Sequence, residues 1–173
     1  MVVRMLGLEA AASYVATPTA FPDVTAASAW AYGYINIAVS RGLIKGYEDG
    51  TFRPNNNVTQ AEALTMVMRA LGYKDSLPGD WPLDYIIAGA SDTVGLVGAG
   101  FVPNASATRA FVAEMVGGLL DCEMVAEVKD YPGEFTGSTP AKIFGAEKLG
   151  IDIDGWSGMV SAVSTSNKTI TIN

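Results

Sequence analysis

Internal repetition is the feature that most constrains how this chain can fold. Residues 1–7 read MVVRMLG and residues 66–72 read MVMRALG, with five of the seven positions identical. A longer match pairs residues 52–72 with residues 101–121 at a constant offset of 49, and it shares Phe, Pro, Asn, Thr and Ala. A chain built from diverged copies of one unit is more typical of a binding module than of an enzyme.

Each copy is predicted to have the same helix–loop–helix plan. The first helix begins near a tryptophan and ends at a glycine that precedes a leucine. A loop rich in Gly, Pro and Asn follows, and the second helix begins after a threonine. These positions are Trp30, Leu43 and Thr59 in the copy at residues 21–74, and Trp81, Leu96 and Thr108 in a more degenerate copy at residues 79–124.

The second helix of the first copy has well-marked ends. Thr59 is a capping residue, and Glu62 lies three positions further on, which predicts a capping box. Gly72 is a suitable C-terminal stop. The apolar residues that fall on one helical face, and that are therefore expected in the core, are Leu64, Val67, Met68 and Leu71.

The two ends of the chain differ from the copies between them. Residues 1–20 are interpreted as the tail of a preceding copy followed by a linker, so we expect a fragment of a longer protein. In the segment 125–173, residues 139–150 predict a short helix, and a β-hairpin is predicted around a turn at residues 166–167. This segment is expected to open a further region. The predicted fold class is mainly α, with a short C-terminal β-hairpin region that makes it α+β overall.

Composition limits the function. The chain is 49% hydrophobic, has a net charge of −7 and contains no histidine. The negative charge argues against nucleic acid as a partner, and no apolar stretch is long enough for membrane insertion. Without histidine the commonest general base and metal ligand are missing, and Cys122 is the only cysteine. We therefore expect no catalytic residue, no cofactor and no metal.

Specific strings carry a family resemblance. FPDV at residues 21–24, Trp30, AVSRGLIKGYEDGTFRPNNNVTQAE at residues 38–62 and MRALG at residues 68–72 closely resemble an S-layer homology domain. The resemblance implies tandem repeats in a pseudo-threefold helical bundle, located outside the cell on a bacterial wall or surface layer. It also implies a non-catalytic anchor whose ligand, a secondary cell-wall polysaccharide often bearing ketal-linked pyruvate, lies in grooves between copies.

The resemblance also suggests which residues bind. The family's T-R-A-E helix start, a loop glycine or aspartate and an aromatic residue contribute to the grooves. A helix N-terminus attracts a carboxylate, and an arginine at the first helical position adds a bidentate partner. Arg109 holds that position in the second copy and Gln60 in the first, so the Arg109 helix start is expected to be the better site. The candidate glycan-binding residues are Asp23, Trp30, Gly46, Tyr47, Asp49, Thr59, Gln60, Glu62, Trp81, Thr108 and Arg109.

Several candidates also have structural interpretations. Asp49 is expected in a tight turn, and Asp23 in a turn or helix start. Trp30 and Trp81 are expected to pack in the core, with a sugar platform as the alternative. Arg69 is expected to pair locally or to extend toward solvent rather than to bind ligand.

Three other functions are weighed against the anchor. The changes at Gln60 and Phe111 favour a purely structural role, in which the copies self-associate in a surface layer without binding glycan. A glycosidase would need two carboxylates across a cleft, but Asp49 and Glu62 already have turn and cap roles. A calcium loop is disfavoured because Phe, Arg and Pro at residues 52–54 interrupt the required pattern of oxygen ligands.

Overall fold

The computed structural model describes residues 1–122, 124–125, 144–145, 160–164 and 169–172. In this part the chain is mainly helical with little strand, in agreement with the predicted mainly-α class. The helices are α1 (Val2–Met5), α2 (Glu9–Tyr14), α3 (Tyr32–Ser40), α4 (Gln60–Ala70), α5 (Leu83–Gly89) and α6 (Arg109–Gly118), with 3-10 helices at Ala26–Ala31 and Leu119–Asp121.

Two short strands follow near the C-terminus. Strand β1 (Val160–Ser164) pairs antiparallel with β2 (Thr169–Ile172). The turn predicted at residues 166–167 and all but two residues of the helix predicted at residues 139–150 lie outside the described residues. The pseudo-threefold arrangement stays a prediction.

Helix α4 is the centre of the core. Leu64, Val67, Met68 and Leu71 are fully buried, which confirms the predicted apolar face. Helices α1, α5 and α6 all contact α4. Burying a side chain of this kind contributes roughly 1.5–3 kcal/mol, so this one face provides a large share of the stabilisation of the fold.

Both ends of α4 follow the prediction. The Thr59 hydroxyl accepts a hydrogen bond from the Glu62 amide at 3.2 Å, and the Glu62 carboxylate accepts one from the Thr59 amide at 2.8 Å. This is the capping box. At the other end Gly72 has φ 103°, a left-handed conformation in which glycine carries no steric penalty. In α6 the Thr108 hydroxyl accepts from the Phe111 amide at 3.1 Å, but Phe111 has no carboxylate to complete a box.

The first helix of the second copy is shorter than predicted. It was expected to extend to Gly95, but α5 ends at Gly89. The Gly89 carbonyl accepts from the amides of Leu96 and Val97, which turns the chain back, and the intervening residues form a turn closed from the Gly95 amide to the Ser91 carbonyl at 2.8 Å. In the first copy α3 ends at Ser40, close to the predicted stop.

An arginine–acid–tyrosine triad connects consecutive copies. Arg69, at the end of α4, donates to Asp75 at 2.7 Å, and the hydroxyl of Tyr85 on α5 donates to the same oxygen at 2.6 Å. Lys45 pairs with the other Asp75 oxygen. Arg69 therefore pairs locally, as predicted, and only 15% of its side chain is exposed.

The same triad occurs one copy earlier. Arg4, which aligns with Arg69, pairs with Glu9 at 2.7 Å, and the hydroxyl of Tyr34, which aligns with Tyr85, donates to Glu9 at 3.0 Å. In both triads the guanidinium carbon lies 5.8 Å from the tyrosine ring centroid. Arg4 therefore makes the same kinds of contact as Arg69, and the assignment of residues 1–7 to a preceding copy stays a prediction.

Gly33 marks a close approach between α2 and α3. A Cβ atom at Gly33 would lie 1.7 Å from the Ala12 carbonyl oxygen, whereas one at Gly117 in α6 would meet nothing within 4 Å. We expect Gly33→Ala to lower the free energy of unfolding by about 2–4 kcal/mol, because the backbone has to move. Gly117→Ala should leave it unchanged or raise it by up to about 1 kcal/mol. Urea denaturation checks both, and equal effects would contradict the close approach.

The Asp75 triad should make stability dependent on acid. Partial burial acts to raise the pKa of Asp75, but hydrogen bonds from Lys45, Tyr85 and Arg69 outweigh it and hold that pKa well below 3.8. The stabilisation is therefore complete above about pH 5 and is lost as the pH falls toward the pKa of the folded state. At neutral pH we expect Asp75→Asn to cost about 1–2 kcal/mol, discounted for partial exposure, and to flatten the acid limb of the stability curve.

Glu9→Gln is the matched control for Asp75→Asn. It removes the equivalent carboxylate from a triad in which the Arg4 and Glu9 side chains are more than half exposed. The expected loss is below about 0.5 kcal/mol, because exposed ion pairs contribute little. Denaturation at several pH values measures the free energy of unfolding of both variants. A larger loss of stability for Glu9→Gln than for Asp75→Asn would contradict the greater contribution that we assign to the Asp75 triad.

Candidate functional site

A groove lies along α4, bounded by the loop at residues 43–58 and by Trp81 from the next copy. We call it groove one. It has a volume of about 790 Å³, which is large enough for one or more sugar residues. Residues of two consecutive copies therefore line one concave surface.

Glu62 connects the helix cap to the wall of groove one. One carboxylate oxygen accepts from the Thr59 amide and hydroxyl at 2.8 and 3.0 Å, and the other accepts from the Tyr47 hydroxyl at 2.7 Å. The bond to Glu62 is the main reason that the pKa of Tyr47 is raised. Glu62 thus fixes the position of the Tyr47 ring. Both of its carboxylate oxygens already accept hydrogen bonds from the protein.

Arg53 lies over that ring. Its guanidinium carbon is 4.0 Å from the centroid of Tyr47, which is a cation–π geometry, and its Nη2 donates to Asp49 at 2.8 Å. Asp49 also accepts from the Thr51 hydroxyl at 2.6 Å. The Thr51 hydroxyl first, and then Arg53, lower the pKa of Asp49 to about 2. Asp49 therefore lies in the expected turn and also orients Arg53.

Asp23 forms direct hydrogen bonds with the loop at residues 43–58, although it lies 29 residues before Phe52 in the sequence. Its carboxylate accepts from the amides of Phe52 at 2.9 Å and Arg53 at 2.6 Å. The Phe52 amide is the main cause of the lowered pKa of Asp23. Asp23 does lie in a turn, but the prediction missed these contacts, which hold Arg53 at the unusual φ of 59°.

The far wall of groove one combines a cation and an aromatic ring. Besides binding Asp75, Arg69 donates to the Leu43 carbonyl at 3.1 Å. The indole N–H of Trp81 donates to the Thr65 hydroxyl at 2.9 Å, which holds the ring at the edge of the groove with 54% of the residue exposed. This wall has an apolar ring face next to hydrogen-bond donors, a combination common in small-molecule binding sites.

The expectation that both tryptophans pack in the core is wrong. Trp30 is 81% exposed and Trp81 is 54% exposed. Trp30 lies on the 3-10 helix at Ala26–Ala31, which buries none of its residues. Trp81 is held at the groove edge through its hydrogen bond to Thr65, with its ring open to solvent.

The start of α4 does not offer free amides to a ligand. The Gln60 amide donates to the Ala105 carbonyl at 2.8 Å, and the Ala61 amide donates to the Pro103 carbonyl at 3.0 Å. The Gln60 side chain accepts from the Val102 amide at 2.8 Å. A loop of the next copy therefore already pairs the first two amides of this helix, and ligand binding at Thr59 and Gln60 stays a prediction.

The predicted residues divide into two groups. Groove one is lined by Gly46, Tyr47, Asp49, Glu62 and Trp81. Six candidates lie outside its lining: Asp23, Trp30, Thr59, Gln60, Thr108 and Arg109. Binding at Arg109, which is exposed at the start of α6, stays a prediction. Lys45, Arg53 and Arg69 also line groove one but are not among the predicted binding residues. Lys45 and Arg53 flank the GYEDG loop, so a count of cations around that loop is the sequence signal that identifies them.

A second, smaller groove lies in the second copy. It has a volume of about 380 Å³ and is lined by Leu96, Phe101, Phe111, Glu114, Met115 and glycines that include Gly118. We call it groove two.

In the described part of the chain no group of three acidic or cysteine side chains is arranged to hold a metal ion. None of the described helices is long and apolar enough to cross a membrane.

Comparison with known proteins is consistent with this geometry. A family model of the S-layer homology domain matches residues 20–64, which contain Tyr47, Asp49, Arg53 and Glu62 of groove one. The chain is 36% identical to the Middle cell wall protein of Brevibacillus brevis over 75% of its own length, and 41% identical to the Surface layer protein of Brevibacillus choshinensis over 52%. It is 45% identical to the Cellulosome-anchoring protein of Acetivibrio thermocellus over 24%.

The chain is short relative to these proteins. It covers 12%, 8% and 9% of their respective lengths. No solved structure matches it. The residues matched by the family model include the GYEDGTFRP loop that builds groove one. The chain therefore carries an S-layer homology domain at residues 20–64 and belongs to the family of bacterial surface proteins defined by that domain.

Proposed function

We propose that this chain is a non-catalytic anchoring module that binds secondary cell-wall polysaccharide non-covalently, with the ligand in groove one. Its location is extracellular, at the bacterial cell wall or surface layer, as its family and relatives indicate. A relative whose name describes cellulosome anchoring is consistent with holding a larger protein at the surface.

The proposal rests on the donors and rings that meet in groove one. Lys45, Arg53 and Arg69 bring three cationic side chains to a lining that also has the rings of Tyr47 and Trp81. Carbohydrate ligands combine apolar ring faces with hydroxyl groups, and an acidic substituent adds a carboxylate. Aromatic faces and fixed cations are complementary to these two features.

The acidic residue proposed for groove one is a sugar bearing ketal-linked pyruvate. Arg53 and Arg69 already share their charge with Asp49 and Asp75, so a ligand carboxylate would use the N–H groups that remain. A guanidinium has five such donors, and each cation of the groove keeps some of them available. The contribution of each contact is therefore modest, about 1–2 kcal/mol.

Self-assembly without glycan binding is the second candidate. Leu83 and Ile87, which share one face of α5, are 57% and 63% exposed in the described part of the chain. Such a stripe suits contact with another protein surface. Concentration-dependent assembly of a chain that binds no polysaccharide would favour this function over anchoring.

Binding to purified polysaccharide tests the anchoring proposal. The whole chain should bind pyruvylated polysaccharide, and removal of the pyruvate should weaken binding. Lys45→Gln and Arg53→Gln should each reduce affinity about tenfold, equivalent to about 1.4 kcal/mol, and the remaining binding should be less sensitive to salt.

Arg41→Gln is the matched control for these two variants. Arg41 is an exposed cation just after α3 and lies outside the lining of groove one, so its loss changes net charge equally. Its affinity should stay within about twofold of the parent chain. If all three variants lose affinity equally, binding depends on net charge and not on groove one. If the parent chain binds neither form of the polysaccharide, anchoring is wrong.

A further inference from the structure

Groove two occupies the place in the second copy that groove one occupies in the first. The offset of 49 residues that aligns the copies pairs Glu62 with Phe111, and Met66 of groove one with Met115 of groove two. Two further pairs have changed their chemistry: Thr65 corresponds to Glu114, and Arg69 corresponds to Gly118.

The polar wall of groove one has no counterpart in groove two. Where Glu62 binds Tyr47, Phe111 packs against Phe101 with ring centroids 6.2 Å apart. The segment between Leu96 and Phe101 is four residues shorter than the one between Leu43 and Phe52, and Val102 stands at the position of Arg53. At the position where groove one has the hydrogen-bonding side chain of Glu62, groove two therefore has the aromatic ring of Phe111.

The space of the Arg69 side chain is also filled. A Cβ atom at Gly118 would lie 2.9 Å from the Leu96 side chain. Leu96 therefore occupies the volume into which a side chain at position 118 would extend. A cation at this point would require the Leu96 side chain to shift away from position 118.

The charge of the two linings differs accordingly. Glu114 is exposed and is the one charged side chain among the described residues that line groove two. The lining of groove one has three cations, Lys45, Arg53 and Arg69, and three acids, Glu48, Asp49 and Glu62. Two of these acids are already bound inside the groove wall, Asp49 to Arg53 and Glu62 to Tyr47. A ligand carboxylate in groove two would face a like charge with no cation of that lining to offset it. Neutral sugar faces would still find the rings of Phe101 and Phe111.

From these observations we propose that Glu114 makes groove two reject acidic sugar residues, so that the chain binds one acidic residue, in groove one alone. This inference rests on the proposed function of groove one. It adds a specificity-determining residue and a stoichiometry, and it makes the two copies unequal in function. Gly118 contributes by leaving no cation to compensate for Glu114.

Stoichiometry measured with a short pyruvylated glycan fragment tests the proposal. Native mass spectrometry and titration calorimetry on the whole chain should give one bound fragment. Lys45→Gln should weaken that binding about tenfold, whereas Phe111→Ala should change it less than about twofold. Two equivalent bound fragments, or one that is lost in Phe111→Ala and retained in Lys45→Gln, would overturn the proposal while leaving anchoring intact.

Two substitutions at position 114 test the role of the carboxylate directly. Glu114 is exposed, so neither substitution should affect folding, which circular dichroism verifies. Glu114→Gln should leave the first binding event unchanged, and Glu114→Lys should bring the bound number toward two at high ligand concentration. If Glu114→Lys still binds a single fragment, the role given to Glu114 is wrong. If no variant and no parent chain binds, both the anchoring function and this inference fail.

Discussion

The carboxylate of Glu62 is the interaction that joins the central helix α4 to the candidate site, and the position of the groove wall depends on it. One of its oxygens completes the cap of α4, the helix with the most deeply buried face of the described chain. The other holds the Tyr47 hydroxyl, and the ring of Tyr47 supports the guanidinium of Arg53. A single side chain therefore connects the central helix, through Tyr47, to the guanidinium of Arg53 on the surface.

The fixed positions of the cations bear on the polysaccharide binding proposed for groove one. Immobilising a long cationic side chain on binding costs about 0.5–1.5 kcal/mol, which would cancel most of the contribution of a single contact to an exposed carboxylate. In groove one this ordering is already present before any ligand arrives. Arg53 is held by Asp49 and Tyr47, and Arg69 by Asp75 and the Leu43 carbonyl. The acids that reduce the net charge of the groove are the same groups that keep its cations in place.

Local sequence patterns predicted the parts of the structure that local interactions determine. The capping box at Thr59, the buried face of α4 and the stop at Gly72 each depend on residues within one or two helical turns. Two of the missed features depend on contacts across the repeat boundary. The amides at the start of α4 are bound by a loop more than 40 residues further on, and Trp81 is held by Thr65 of the preceding copy. Spacing within one copy contains no signal for either contact.

The difference between the two copies separates what the fold requires from what the groove requires. Thr59 and Thr108 both cap their helices through the hydroxyl, so this half of the capping box is sufficient to start the helix. The second half is present at Glu62 and absent at Phe111, and α6 nevertheless forms over ten residues. Because the helix does not depend on a carboxylate at this position, the residue type here can change without loss of the helix. The residue that joins the fold to the groove in the first copy is therefore the residue at which the second copy was able to diverge.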